Sequence, residues 1–207
     1  MTVEQEHWEG IYRQRLPEDL SWFEAEPTTS LAMIERLGLP LDAAIVDVGG
    51  GASRLAEELL GRAYSDLTVV DIADEALERA KEGFAGGDRI QWIAADVRDH
   101  DFGRRFALWH DRAVFHFMVS GEDRRAYLNT VERSLAPGGD LVIATFGPEG
   151  PQRCSGLPVV RYSADALAAA VGDRARLEAW HLEDHLTPAG NRQQFLYAHF
   201  VAATEPA

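Results

Sequence analysis

Residues 43–61 constrain the fold more than any other stretch of the chain. Ala43-Ala-Ile-Val-Asp-Val48 is a short apolar run. It leads into Asp47-Val-Gly49-Gly50-Gly51-Ala-Ser53, and Ser53 to Gly61 then carries Leu55, Leu59 and Leu60 at helical spacing. A strand that passes through a glycine turn into a helix is the first half of a βαβ unit, which commits the chain to a parallel sheet covered by helices. Glycines in the turn permit positive φ and let the backbone come close to a ligand. The first N–H groups of the following helix face outward at the same place.

The rest of the chain repeats this alternation. Leu67–Asp71, Ile90–Ala94, Phe106–Trp109 and Asp140–Phe146 read as strands. Asp74–Phe84, Asp123–Leu135 and Ser163–Val171 read as helices, with Ser163 as an N-cap and Pro137-Gly138-Gly139 as a stop signal. Residues 175–182 and 194–202 are expected to pair as a closing antiparallel hairpin, joined by a linker over 183–192. The expectation is an α/β fold, a doubly wound and mostly parallel sheet, with an N-terminal helical extension over residues 1 to 40. At 207 residues it forms a single domain.

Composition narrows the partners. With 20 Lys and Arg against 34 Asp and Glu, the net charge is −14 and no basic run is present, so nucleic acid is not the expected partner. No apolar run has the length of a membrane span. The acidic, polar N-terminus lacks the pattern of a secretory signal. The one cysteine, Cys154, forms no internal disulfide. These features together point to the cytoplasm.

Asp71 closes the second predicted strand, 24 positions after Asp47, and Asp96 follows the third strand 25 positions later. Ligands of open α/β sheets bind outside the carboxyl ends of the strands, where a carboxylate accepts hydrogen bonds from ribose hydroxyls. A dinucleotide fingerprint requires a glycine at position 54, and Arg54 stands there. Asp47-x-Gly49-x-Gly51 resembles the first motif of class I S-adenosylmethionine-dependent methyltransferases, although Ser53 stands where many of them have glycine. Asp71 resembles their ribose-binding acid, Ala95-Asp96-Val97 their adenine-contacting motif, and Leu135–Ile143 their late turn and strand. The resemblance implies S-adenosylmethionine as cofactor. It also implies a binding set of Trp22, Asp47, Gly49, Gly50, Gly51, Ser53, Asp71, Ile72, Asp96, Val97 and His110.

The acceptor side is less marked. Trp109-His-Asp-Arg-Ala-Val-Phe-His-Phe117 follows the fourth strand, where the resemblance places the acceptor. His110, Asp111 and His116 are the candidate catalytic residues, the histidines as bases that titrate near neutrality. His116 also reads as a core histidine between Phe115 and Phe117, and Arg112 as a clamp for an anion or the partner of a local acid. Trp8, Tyr12, Trp22 and Phe23 suggest a lid, or a helix packing its aromatics on the sheet. They resemble the N-terminal segments of protein-lysine methyltransferases and, more loosely, of thiol and thiopurine S-methyltransferases. The Gly- and Pro-rich stretch 147–158 is expected to border the site mouth, with Cys154 either facing the pocket or buried, and Arg161 and Tyr162 beside it. His185 reads as a loop residue. Cysteine and histidine spacing gives no metal pattern. The expected activity is methyl transfer to N, O or S of a small-molecule acceptor. The alternatives are a protein-lysine N-methyltransferase and a non-catalytic S-adenosylmethionine-binding protein. A cavity roofed by residues 8–27 and 147–162 favours the small molecule.

Overall fold

The computed structural model describes residues 2–84 and 86–204. In chain order its elements are α1 (Val3–Gln14), α2 (Thr28–Leu37), β1 (Ala44–Val48), α3 (Leu55–Gly61), β2 (Asp66–Asp71), α4 (Asp74–Gly83) and β3 (Ile90–Ala94). Then come β4 (Phe106–Arg112), α5 (Gly121–Ser134), β5 (Leu135–Phe146), the short pair β6 (Arg153–Cys154) and β7 (Leu157–Pro158), α6 (Ala164–Val171), β8 (Ala175–Leu186) and β9 (Arg192–Ala202). Seven strands form one sheet in the order β3-β2-β1-β4-β5-β9-β8. β9 runs antiparallel to both its neighbours, and the pairs from β3 to β5 are parallel. This is the doubly wound sheet with a final antiparallel hairpin.

Each face of the sheet has its own core. On one face, α5 and α6 bring Tyr127, Leu128, Val131 and Leu167 onto Val46, Val48 and Trp109. On the other, α2, α3 and α4 bring Ile34, Leu55, Leu59 and Leu77 onto Ile45, Val69 and Leu108. Strand side chains alternate between the faces, so adjacent residues of one strand enter different cores. The N-terminal segment is docked rather than loose. Tyr12 and Leu20 are buried with Ala73, the N-cap residue of α4, and Ala76 within it. Glu9, itself buried, accepts the N–H of Asp74 at 2.8 Å and so satisfies an orphan donor at the start of α4.

Three boundaries differ from the sequence expectation, each through pairing that a local pattern does not carry. β4 continues past Trp109 to Arg112, because Asp111 pairs with Val48 and Arg112 with Ala144. Pro137-Gly138-Gly139 does not precede the strand. It lies inside β5, where Leu135 pairs with Phe106 but Asp140 pairs with Leu108, so residues 136–139 bulge out, with Gly138 at φ +71°. The closing hairpin is longer than expected, with β8 running on to Leu186 against Arg192. Among the described residues no helix is long and apolar enough to cross a membrane.

Candidate active site

The glycine turn leaves β1 with no room for side chains. Gly49 has φ +69°, and a Cβ there would lie 2.2 Å from Val114 Cγ2. A Cβ on Gly51 would lie 2.6 Å from Ala76 Cβ and 2.9 Å from Asp71 Oδ2. The turn is therefore pressed between α4 and the segment after β4, with its backbone at the cavity wall. Ser53 Oγ accepts the N–H of Leu55 at 3.0 Å, which holds the entry to α3. A serine in place of glycine thus serves the helix start.

Asp71 ends β2 directly beside this turn. Its Oδ2 accepts the N–H of Gly51 at 3.1 Å and its Oδ1 that of Ala73 at 2.9 Å. Burial raises its pKa to about 6, opposed by these backbone donors, with the Asp47 charge adding to the rise. Asp96, past β3, receives both its oxygens' bonds from Arg98 Nε, at 3.0 Å each. Burial pushes the Asp96 pKa up, but the Arg98 hydrogen bonds outweigh it and hold the value below the usual carboxylate range. Arg98 also bonds Asp123 at 2.9 Å and pairs with Glu4 of α1. Sequence reasoning missed Arg98 and Glu4. The signal available for Arg98 was its place two residues after Asp96.

Asp71, Ile72, Asp96 and Val97 line one cavity of about 200 Å³ at the carboxyl ends of the strands, together with Gly49 of the turn. The rest of its lining is mostly aromatic or apolar, with Glu4, Arg98 and Arg112 as the charged exceptions. Trp8, Tyr12 and Trp22 come from the N-terminal segment, Phe117 from the turn after β4, and Cys154, Leu157 and Pro158 from the β6–β7 loop. Trp8 packs edge-on against Phe117 at 5.1 Å and against Trp22 at 5.9 Å, closing the aromatic wall. Cys154 is a buried thiol on this wall, and burial pushes its pKa up to about 11.

A second, smaller pocket of about 30 Å³ shares Trp22, Val48, Gly49 and Arg112 with the first. Asp47, Ser53, His110 and Glu24 lie on it. Asp47 and His110 are register partners on β1 and β4, and His110 Nδ1 lies 2.8 Å from Asp47 Oδ1. His110 Nε2 lies 2.9 Å from Ser30 Oγ. The arrangement suits the tautomer that donates from Nδ1 to the carboxylate and accepts the serine hydroxyl at Nε2. The other carboxylate oxygen of Asp47 is buried and without a partner. Gly50 lies against it, for a Cβ there would meet Asp47 Oδ2 at 2.4 Å.

The remaining candidates sit away from both pockets' walls. Asp111 points to the opposite face from His110, and accepts the N–H groups of Val114 at 2.9 Å and Phe115 at 3.0 Å and the Tyr127 hydroxyl. Burial raises its pKa to about 6, against those same hydrogen bonds. It holds the backbone turn that follows β4. His116 is fully buried against Phe117 and Phe146, and its Nδ1 accepts the N–H of Phe146 at 3.4 Å. Burial first, and the Arg112 charge second, push its pKa down to about 3, so the ring is neutral. Of the other residues singled out, Arg161 donates to the Pro148 carbonyl, Tyr162 is buried, and His185 lies within β8, bonded to the Ser21 carbonyl at 2.9 Å. Among the described residues no three His, Cys, Asp or Glu side chains gather as a metal site.

Residues 45–139 match a family described as "Methyltransferase domain". Nodulation protein S of Rhizobium tropici is 28% identical over 108 residues, which is 52% of this chain and 45% of that protein. The chain thus spans about half the length of the curated relatives it matches. Over nearly the whole chain (97%) the fold matches a Burkholderia thailandensis 1,6-didemethyltoxoflavin-N1-methyltransferase, solved with 1,6-didemethyltoxoflavin and S-adenosylhomocysteine. That likeness has a TM-score of 0.75 and 20% identity, and covers 88% of that chain. A structure concerned with conversion of a disulfide bond into a thioacetal group in echinomycin biosynthesis matches with a TM-score of 0.76 and 21% identity, over 98% of this chain and 93% of the other. With its glycine turn, its acids at successive strand ends and its seven-stranded sheet, this chain matches a methyltransferase domain over residues 45–139 and shares the fold of a methyltransferase solved with S-adenosylhomocysteine.

Proposed function

We propose that the protein transfers the methyl group of S-adenosylmethionine to a small-molecule acceptor, as an enzyme of the cytoplasm. One observation carries this reading. A single cavity is lined by Gly49 of the glycine turn, Asp71 and Asp96 together with residues of the N-terminal segment and the 154–158 loop. Those are the two segments expected to roof a small-molecule site.

The residues fit the cofactor. The turn has no space for side chains, so at Gly49 the backbone itself borders the cavity. Asp71 would hold the ribose, and the Asp96–Val97 corner the adenine. The orphaned oxygen of Asp47 would take the ammonium of the amino-acid tail. When bound, the cofactor supplies a methyl group already activated by the positive sulfonium. The protein's share is positioning and exclusion of water, which Trp8, Trp22 and Phe117 provide. His110 would act through Asp47, by fixing the carboxylate that faces the tail. The relatives leave the acceptor atom open, since one named neighbour is an N1-methyltransferase and another concerns a thioacetal.

The test has two arms. Calorimetry with S-adenosylmethionine should show one site per chain. Methyl-labelled cofactor incubated with a lysate split into metabolite and protein fractions should label the metabolites. Label in protein alone would replace the acceptor class by a protein side chain, and absence of cofactor binding would overturn the reading.

A further inference from the structure

The acceptor end of the large cavity has an unusual balance of charge. Besides Asp71 and Asp96 the cavity is lined by Trp8, Trp22, Phe117, Cys154 and Leu157, and its two cationic side chains among the described residues are Arg98, paired with Asp96, Asp123 and Glu4, and Arg112. Arg112 is nearly buried, its side chain 11% exposed. Its Nε donates to Tyr197 Oη at 2.9 Å, its Nη1 donates to the Trp22 carbonyl at 2.8 Å, and the group lies 4.6 Å over the Phe195 ring. Its Nη2 lies 3.0 Å from Glu24 Oε1, yet closes no well-aligned hydrogen bond. Glu24 lines the small pocket and not the large one, whereas Arg112 lines both. Arg112 thus borders the large cavity while Glu24, the carboxylate paired with it, does not.

The carboxylates of the cavity lining are already engaged: Asp96 and Glu4 by Arg98, and Asp71 by the N–H groups of Gly51 and Ala73. His110 has both ring nitrogens engaged, His116 and Asp111 are enclosed in the cores, and His185 is bound to the Ser21 carbonyl. An acceptor that enters as an ammonium ion would find nothing there to take its proton. An amine that attacks a sulfonium also leaves a full positive charge in an apolar cage beside Arg112. A thiolate reverses both problems. A thiol loses its proton near pH 8.5, within reach of a neighbouring guanidinium. When the anionic sulfur attacks, a C–S bond forms to the methyl carbon and the C–S bond of the sulfonium breaks. Both products are neutral thioethers, and the thiol's proton has already left to solvent. An apolar, water-excluding wall favours such annihilation of charge.

Resting on the methyltransferase reading above, we infer that the acceptor is a small apolar thiol, bound as its thiolate with Arg112 as the anion-recognising residue. Arg112 is faced by Glu24 from the N-terminal segment, by Glu183 and His185 of β8, by Tyr197 of β9, by His116 after β4 and by Cys154 of the β6–β7 loop. Glu24 is the close carboxylate, so its removal exposes more of the Arg112 charge.

The first test needs no turnover. Calorimetric affinity for phenylmethanethiol should rise about tenfold per pH unit below the thiol's pKa, while affinity for phenylmethanol stays flat. Arg112→Gln should lose the rise, and Glu24→Gln should strengthen thiolate binding; a purely structural role would weaken it in both. Thermal melts identify a variant that fails to fold, and the wild-type contrast between thiol and alcohol then decides alone. With cofactor present, the thiol should give the thioether at least about 100-fold faster, in kcat/KM, than phenylmethanol or phenylmethanamine. Faster turnover of the amine or alcohol, or thiol affinity without pH dependence, overturns the thiolate and leaves the methyltransferase standing. Absence of any product with calorimetric cofactor binding intact overturns the thiolate likewise, and loss of cofactor binding removes the underlying reading as well.

Discussion

Asp71 and Asp111 are a matched pair in different employment. Both stand at the carboxyl ends of parallel strands, both are buried, both accept two backbone N–H groups, and burial raises both pKa values to about 6. Asp71 borders the cavity, with the glycine turn pressed against it. Asp111 faces α5, where the Tyr127 hydroxyl completes its shell, and that hydroxyl in turn accepts Trp109 Nε1 at 2.9 Å. A buried, perturbed carboxylate at a strand end is thus not a functional mark by itself. Access to the cavity separates the two, and strand parity sets access, since alternate residues enter opposite cores.

Substitution should pull the pair apart. On the proposed ribose role, Asp71→Ala would remove a charged acceptor for two hydroxyls, at about 1.5–3 kcal/mol each, so S-adenosylmethionine affinity should fall at least about 100-fold by calorimetry. An unchanged affinity would erase the distinction drawn here. Asp111→Ala orphans two buried N–H groups and the Tyr127 hydroxyl, which should lower unfolding stability by about 2–4 kcal/mol in urea titration. Cofactor affinity of the folded fraction should stay within about threefold.

Acidity sharpens the contrast further. Ribose hydroxyls donate to an ionised carboxylate, and Asp71 takes up its proton at about 6. Cofactor affinity should therefore weaken as pH falls below that value, by about tenfold per unit, and Asp71→Asn should make it insensitive to pH. The smallest effect concerns His116. Its pKa is about 3 in the folded chain against 6.5 ordinarily, so between those values the unfolded chain binds the extra proton. Stability from the neutral histidine is thus lost as pH falls through that window. Asp111, raised to about 6 from 3.8, acts in the opposite sense between those two values. The comparison with His116→Gln isolates the histidine: the stability advantage of the wild type should shrink between pH 7 and 4, by about 1 kcal/mol or more. A constant difference would show that His116 keeps its ordinary titration.

The cofactor side of the molecule was readable because its chemistry is local. A strand, a glycine turn and an acid at the next strand end lie in consecutive units, and Ala44–Val48, Asp66–Asp71 and Ile90–Ala94 stand where the apolar runs place them. The acceptor side was not readable for the complementary reason. The fates of His110, Asp111 and Arg112 depend on β4 continuing beyond Trp109, and on partners at Ser30, Tyr127 and Tyr197. A run of polar residues after an apolar strand looks like a loop until both neighbouring strands are in place. The β5 bulge misled in the same way, because Pro137-Gly138-Gly139 has the chemistry of a stop and the pairing of a strand. Arg98 shows the converse. It was two residues from a recognised acid, but its other arms reach Glu4 and Asp123, 94 and 25 positions away.

The bond from Asp74 N–H to Glu9 has a temporal consequence. The two residues are 65 positions apart, and Tyr12 and Leu20 pack on that same helix. During synthesis the N-terminal aromatics emerge before the surface that will receive them exists. At about 5–20 residues per second the interval is on the order of 3 to 13 seconds. For that time Trp8, Tyr12, Trp22 and Phe23 are exposed apolar groups on a nascent chain. The wall of the future cavity is then a segment for a chaperone to hold.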